Sequence, residues 1–392
     1  VVQRLARRLA ARAPHVLWLI ALHDRRSEQG ALVAWKFPDS GAPRVAAFLW
    51  DPERIVDSDA ETLRALSAIV DPQDSLRHAQ WLEVLGRDAM TRRFFRILDA
   101  QVAALAVSLP RQVLSDDARE VALLYVTRLL FLHFLQAKGW LDGRATYLAD
   151  TLDDCLVTGG RFHERVLLPL FFGTLNTPVS RRSPAARQLG RVPFLNGGLF
   201  ARAVSERRTG RHRFADERFV ALFDELFLRF RFIACEDSAT WSEASVDPEM
   251  LGRAFESLMA SAERKAGGVY YTPHALVERV TDHALSAIDA RNGWAALTLL
   301  DPACGSGAFL VHALERIASL RSNREARPLA ELRRDVLIRS IFGVDRRPTA
   351  VWLCQLRLWL SVVIESEECD PLRVVALPNL DRNVRVGDAL TG

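Results

Sequence analysis

The stretch 300–310 constrains the fold of this chain more than any other part of it. An apolar run ends at Asp301, the chain passes through Gly305 and Gly307, and an amphipathic segment follows. Because glycine has no side chain, the backbone can turn sharply there and a ligand can lie against it. This order predicts the strand–loop–helix crossing at which an open α/β sheet binds a nucleoside ligand.

The charge of Asp301 narrows the choice of ligand, because this residue stands at the carboxyl end of the predicted strand. A carboxylate in that place repels a pyrophosphate but attracts an amino group or a sulfonium. The loop therefore favours S-adenosylmethionine over a dinucleotide.

Two further predicted strands also lead into an acid. Residues 341–344 precede Asp345, and 384–386 precede Gly387 and Asp388. A carboxylate after the second strand can accept hydrogen bonds from both ribose hydroxyls. The separation of Asp345 from Asp301 exceeds the roughly 20 residues of a dinucleotide fold, and an extra helix predicted within 321–339 accounts for the difference.

Four segments resemble, in order, the motifs of DNA methyltransferases that modify the exocyclic amine of adenine. They are 268–273, 301–310, 342–345 and 386–390. The resemblance is to fused type IIG restriction–modification enzymes and to phage-defence methylases of the BREX kind. It implies methyl transfer from S-adenosylmethionine to adenine in double-stranded DNA, on a Rossmann-like α/β methyltransferase core.

The same resemblance implies a set of cofactor-binding residues. They are Thr272, Pro273, Asp301, Ala303, Cys304, Gly305, Gly307, Asp345, Asp388 and Ala389. Thr272 and Pro273 would touch the methionine part, Asp345 the ribose and Asp388 the adenine amine. An ordinary capped helix and an exposed turn aspartate are the alternatives for the first pair and for Asp388. Cys304 is expected to pack in the turn, since the Pro-Cys pair of cytosine-ring methylases does not occur in the sequence.

The motif that performs the transfer in that family, Asn/Asp/Ser-Pro-Pro-Tyr/Phe, has no counterpart among residues 1–392, which contain no adjacent prolines. We therefore expect an N-terminal fragment that holds the cofactor half, contains no catalytic residue and is inactive alone. The alternatives are a non-catalytic DNA-binding defence component, or a decayed gene product, that keeps the cofactor pocket. A methylase of proteins or small molecules fits the pocket but not the helical front end.

Length and pattern indicate three segments within the 392 residues, of which 49% are hydrophobic. Residues 1–57 predict a small strand-containing segment, interpreted as a structural or degenerate nuclease-like remnant because Lys36 lacks the acid of a nuclease motif. Residues 58–265 predict a mainly helical domain with an arginine-rich loop at 173–213. Residues 266–392 predict the first part of the methyltransferase domain, with no catalytic and no metal site.

Charge and hydropathy limit the kinds of partner that the chain can have. The net charge of +4 permits DNA binding, and the arginine-rich loop could follow a DNA backbone; the alternative is a solvated loop in an arginine-biased proteome. The apolar stretch 121–137 is interrupted by Arg128 and His133 and predicts a buried helix, so no membrane is expected. Scattered cysteines fit a reducing cytoplasm, where restriction or defence proteins are candidate partners.

Overall fold

The computed structural model describes the residues 8–9, 12, 19–23, 30–36, 44–50, 55–69, 74–85, 87–110, 113–195, 198–210, 213–233, 245–246, 250–252, 254, 272, 274–288 and 297–391. They belong to two compact units. One combines 1–101 with 221–250, and the other combines 102–220 with 251–392. The three-segment division made from the sequence stays a prediction.

The first unit contains a three-stranded antiparallel sheet at the place where the sequence predicts a meander of strands. Its strands are β1 (Leu19–His23), β2 (Gly30–Lys36) and β3 (Arg44–Trp50), in the order β1-β2-β3. Leu19 pairs with Ala34, and Ala34 with Ala46. Ala34 and Phe48 form the centre of a small core beneath the sheet.

Helices close that core and continue the first unit. They are α1 (Asp57–Ser67), α2 (Asp74–Leu85) and the start of α3 (Arg87–Val107). Leu85 completes the core beside the sheet. A two-stranded parallel sheet, β4 (Arg231–Phe232) and β5 (Ser245–Val246), belongs to the same unit.

The helical part of the second unit is built around α4 (Ser115–Ala137). Residues Asp116–Ala137 are long and apolar enough to span a membrane by length and composition, yet 83% of that window is buried inside the protein. The buried helix predicted over 121–137 is therefore confirmed. Its apolar residues face other helices on all sides, which explains why the helix has no single apolar stripe.

The segment after α4 differs from the sequence prediction of a long connection over 173–213. It contains short helices that hydrogen-bond locally and bury their apolar residues. The elements that follow α4 are α5 (Tyr147–Val157), π-helical turns His163–Leu167 and Pro169–Leu175, a 3₁₀ turn Val179–Arg181, α6 (Pro184–Arg187), a 3₁₀ turn Gly198–Phe200, α7 (Val204–Arg208), α8 (Asp216–Leu222) and a π-helical turn Phe223–Phe227. Proline, glycine and serine in this stretch begin and end short helices instead of marking one loop.

The rest of the second unit is an α/β arrangement. A three-stranded parallel sheet has the order β6-β7-β8. Its elements are α9 (His274–Ser286), β6 (Leu299–Asp301), α10 (Ala308–Ser322), α11 (Leu329–Arg339), β7 (Ile341–Asp345), α12 (Pro348–Glu365) and β8 (Val384–Val386). The extra helix predicted between the first two strands is α11. The helix α12 is apolar and buries most of its residues.

Candidate functional site

The acids at the three strand ends lie at one edge of the parallel sheet. Asp301 pairs in register with Gly343 on β7, and Asp345 pairs with Val386 on β8. Asp388 follows two residues after that pair. Because all three strands run in the same direction, their carboxyl ends and the loops after them meet at the same edge.

Asp345 holds the glycine loop directly, which the sequence did not indicate. Its Oδ2 accepts a hydrogen bond from the Gly305 N–H at 3.0 Å, and its Oδ1 accepts one from the Arg347 N–H at 2.9 Å. A carboxylate can accept about four hydrogen bonds. Each oxygen of Asp345 therefore still has capacity for a ribose hydroxyl, while the backbone bonds fix the orientation of the side chain.

Two glycines shape the loop because each adopts a left-handed backbone. Gly305 has φ of 53° and Gly307 has φ of 85°. Gly307 is also the N-terminal cap of α10, and a Cβ placed on it would lie 2.5 Å from Sγ of Cys354. Glycine is therefore required at 307 both for conformation and for space.

Cys304 packs in the turn, as the sequence analysis expects. It is buried, its N–H donates to the Val344 carbonyl at 2.9 Å, and its carbonyl accepts from Gly307 at 2.7 Å. A hydrogen bond from the Cys304 side chain and burial together raise the pKa of the Cys354 thiol. These thiols form the apolar underside of the loop.

Asp301 is a half-buried acid next to a second carboxylate. Its Oδ1 accepts a hydrogen bond from the Ala303 N–H at 3.0 Å. Burial raises the pKa of its carboxyl group, and the nearby charge of Asp345 raises it further. Among the described residues, no cationic side chain is one of the groups that shift this pKa. A bound cation at this edge would therefore stabilise the ionised carboxylate.

Asp388 follows the end of β8, which pairs with β7. Its Oδ1 accepts a hydrogen bond from Leu390 at 3.0 Å, and its Oδ2 lies 3.6 Å from Nε of Arg346. Gly387 donates its N–H to the Asp345 carbonyl at 3.0 Å, which joins the third strand end to the second. Ala389 is exposed in the turn that follows.

Thr272 is half-buried just before α9, and Pro273 lies outside the described residues. The contact of this corner with a cofactor stays a prediction.

The helix α9 buries one face and leaves some of its apolar residues exposed. Val277, Thr281 and Leu285 are buried, whereas Leu276 and Val280 are exposed. These three buried residues are four positions apart, so they lie on the same side of the helix. A hydrogen bond of 2.7 Å from Nε of Arg316 on α10 to Oδ1 of Asp282 on α9 joins these two helices.

Sequence analysis missed two residues behind the loop, Ser306 and Arg357. Nη1 of Arg357 donates to the Ser306 carbonyl at 3.2 Å and lies 3.0 Å from its Oγ. One signal was present in the sequence: Cys354 and Arg357 are three residues apart, which places them on one face of a helix.

The helical segments that precede the α/β part pack directly against α12. The Lys138 Nζ donates to the Ile364 carbonyl at 2.7 Å, and the Trp140 Nε1 donates to the Glu368 carbonyl at 2.7 Å. A Cβ on Gly198 would lie 3.5 Å from the Trp359 ring. These segments therefore support the helix that backs the glycine loop.

The arginines of 173–213 divide into structural and exposed ones. Arg182 is buried and donates to the carbonyls of Thr177, Val192 and Thr174, so it cannot reach a DNA backbone. Three others form ion pairs: Arg191 with Asp370, Arg208 with Asp117 and Arg213 with Glu164. Arg181, Arg187 and Arg207 are exposed. Arg211 lies outside the described residues.

Comparisons with known proteins agree with the motifs. Residues 246–369 match the family model described as N-6 DNA Methylase. A putative type II restriction enzyme and methyltransferase of Methanocaldococcus jannaschii is 26% identical over 332 residues, which cover 70% of this chain and 28% of that protein. The adenine-specific methyltransferase PglX of Streptomyces coelicolor is 28% identical over 116 residues, covering 30% of this chain and 10% of that protein.

A solved structure, the type IIL restriction–modification enzyme MmeI in complex with DNA, is similar at 19% identity and a TM-score of 0.49. The match covers 78% of this chain and 40% of that chain. The chain thus spans less than a third of the length of the curated relatives given above. The resemblance stated from the motifs is confirmed, since residues 246–369 match the N-6 DNA Methylase family model.

Proposed function

We propose that this chain provides the S-adenosylmethionine-binding half of an adenine-specific DNA methyltransferase in a restriction–modification or phage-defence system. The observation that carries the proposal is the glycine loop, in which the Gly305 N–H donates a hydrogen bond to Asp345. Asp301 and Asp388 lie at the ends of the neighbouring strands, at the same edge of the sheet. The three parallel strands with their helices are then the first part of a Rossmann-like core.

The chemistry of these residues fits the cofactor. Asp301 is a half-buried carboxylate whose pKa is shifted by no cationic group among the described residues, and S-adenosylmethionine carries both an ammonium and a sulfonium. Asp345 has hydrogen-bonding capacity left for the ribose hydroxyls. Asp388 would accept a hydrogen bond from the adenine amine. Three acids at one edge would repel a polyphosphate, which argues against a dinucleotide.

The other proposed contacts come from backbone and small residues. Ala303, Cys304, Gly305 and Gly307 would form the floor of the site, and Ala389 would border the adenine. The first N–H groups of a helix have no partner within the helix. The helix α10 begins directly after the glycine loop, so its first N–H groups would donate hydrogen bonds to the carboxylate of the ligand. Thr272 and Pro273 would border the methionine part.

Bound S-adenosylmethionine supplies a methyl group on a positively charged sulfur, which a nucleophile can take without a covalent enzyme intermediate. The role of this chain is to bind and orient. Asp301 balances positive charge, Asp345 fixes the ribose, and the glycine loop determines how deeply the ligand lies. The Asn/Asp/Ser-Pro-Pro-Tyr/Phe motif that would accept the amine of a flipped adenine is not found in the sequence of residues 1–392.

Double-stranded DNA is the proposed substrate, and the cytoplasm is the proposed compartment because the DNA to be modified is there. Exposed arginines such as Arg181, Arg187 and Arg207 would contact phosphates, which are recognised without sequence specificity. Restriction or defence proteins are proposed as partners, because one relative is itself named a restriction enzyme and methyltransferase.

Calorimetry of the chain with S-adenosylmethionine tests the cofactor assignment. We expect one binding site, and we expect Asp345→Asn to weaken binding at least about tenfold, because the amide replaces one acceptor by a donor that opposes a backbone N–H. Glu367→Gln removes a charge from an exposed position after α12 and serves as the matched control. Equal affinities of Asp345→Asn and the parent chain would refute the ribose assignment.

Sequencing that detects 6-methyladenine tests the reaction. Host DNA is compared with and without the full-length gene, and with the Asp345→Asn variant of it. We expect the modified base only with the unaltered gene. Cofactor binding without any 6-methyladenine would support the non-catalytic alternative instead.

A further inference from the structure

Arg357, on α12, donates hydrogen bonds to Ser306 in the glycine loop. Its Nη1 lies 3.2 Å from the Ser306 carbonyl oxygen and 3.0 Å from the Ser306 Oγ. Ser306 is only 6% exposed, so its hydroxyl points into the protein and not toward solvent. A guanidinium bound to a carbonyl makes a stronger hydrogen bond than a neutral donor does.

The hydrogen bonds between Arg357 and Ser306 are part of a continuous contact between the glycine loop and one turn of α12. Gly307 lies against Cys354, and the preceding residue, Ser306, is bound by Arg357. Cys354 and Arg357 are three residues apart and share a helix face. Two successive loop residues thus rest on two successive positions of the same helix face.

The guanidinium of Arg357 lies close to Gly252. A Cβ on Gly252 would lie 2.6 Å from the Arg357 Nε and 2.7 Å from its Cζ. The guanidinium therefore lies flat against the backbone of Gly252, in space that any side chain would take. A methyl group on residue 252 would displace the guanidinium, because the end of a side chain moves more easily than the backbone does.

We propose that Arg357 is a positioning residue for the cofactor, an inference that rests on the proposed function and deepens it. The carbonyl and the N–H of a trans peptide point in opposite directions. Binding the Ser306 carbonyl therefore fixes the direction of the Gly307 N–H, which closes the turn onto the Cys304 carbonyl at 2.7 Å. That turn presents Gly305 to Asp345 and begins α10.

Variants of the full-length protein test this role. Arg357→Gln removes the charged donor. Arg357→Lys keeps the positive charge but replaces the guanidinium by an ammonium. Gly252→Ala displaces the guanidinium without changing Arg357 itself. The matched control is Arg333→Gln, because Arg333 is a half-buried arginine that donates to the Ser361 carbonyl at 3.0 Å, further along α12. The readouts are calorimetric affinity for S-adenosylmethionine, hydrogen exchange of 304–310 without ligand, and thermal unfolding.

We expect Arg357→Gln and Gly252→Ala to bind S-adenosylmethionine about tenfold more weakly, the size of one hydrogen bond to a charged group, and to exchange the amides of 304–310 faster. Arg357→Lys recovers part of the affinity, and Arg333→Gln retains the parent affinity even if it melts lower. Parent affinity in Gly252→Ala and in a folded Arg357→Gln would overturn the proposal. If Arg357→Gln fails to fold, Gly252→Ala alone decides.

The same data separate this inference from the proposed function. Absence of S-adenosylmethionine binding in the parent protein would refute the proposed function itself. Binding by the parent with unchanged binding by the Arg357 and Gly252 variants would refute only the positioning role.

Discussion

The buried ion pair between Arg128 and Glu206 is expected to be the most sensitive single interaction in the helical region. The side chains are 0% and 1% exposed, and two hydrogen bonds of 2.9 Å and 3.0 Å join them. Arg128 also donates to the carbonyls of Leu199 and Ala201, each at 2.7 Å. The pair therefore fixes the turn Gly198–Phe200 to α4.

The perturbation is Glu206→Gln, which keeps the volume and one acceptor but leaves the guanidinium charge uncompensated. Removing one partner of a buried ion pair costs about 3–5 kcal/mol. We expect the lower end, about 3 kcal/mol, because the remaining amide oxygen and the two carbonyls still accept from Arg128. That is a large part of the roughly 5–15 kcal/mol by which native domains are stable.

The matched control is Asp117→Asn. Asp117 pairs with Arg208 at 2.7 Å, but that arginine side chain is 59% exposed. An exposed pair contributes about 0–1 kcal/mol, so the control separates loss of a buried pair from loss of any pair.

Denaturant unfolding followed by tryptophan fluorescence measures both variants, because Trp140 and Trp359 are buried in the same compact unit. The double variant Arg128→Met with Glu206→Leu should recover much of the loss, since no buried charge then remains. If Glu206→Gln costs no more than Asp117→Asn, the argument from burial is wrong.

Two further predictions concern the glycine loop. Gly307→Ala should lower the melting temperature of the ligand-free chain far more than Gly305→Ala. A Cβ at 307 meets the Cys354 Sγ at 2.5 Å, whereas one at 305 meets no heavy atom of the described residues within 4 Å; equal melting temperatures would contradict this. Asp301→Asn should raise the melting temperature without ligand at pH 7 while weakening S-adenosylmethionine binding. Because the pKa of Asp301 is raised in the folded state, the native chain binds the proton more tightly, and the unfolding free energy falls as pH rises above about 4. Thermal scans from pH 3 to 7 should show the advantage of the variant vanish at the acid end, and a constant difference would refute it.

The local pattern of the sequence was sufficient for the strands and for the glycine loop. An apolar run, an acid and a glycine turn are contiguous in the chain, so Asp301, Gly305 and Gly307 could be proposed as cofactor-binding residues without a structure. The same holds for α12, whose apolar composition on all sides predicts burial. The order of the motifs also identified the family, since motif order is a property of the chain alone.

The tertiary structure alone decided which residues hold the loop and which arginines are structural. Asp345 reaches Gly305 across 40 positions, Arg357 reaches Ser306 across 51, and Arg128 reaches Glu206 across 78. Arg182, which lies in the predicted arginine-rich loop, donates to carbonyls that only the folded helices bring together. Periodicity describes which residues share one face of an element, but it does not specify which distant element that face meets. For that physical reason the sequence proposed where the site lies, and only the fold shows which distant residues hold the glycine loop in shape.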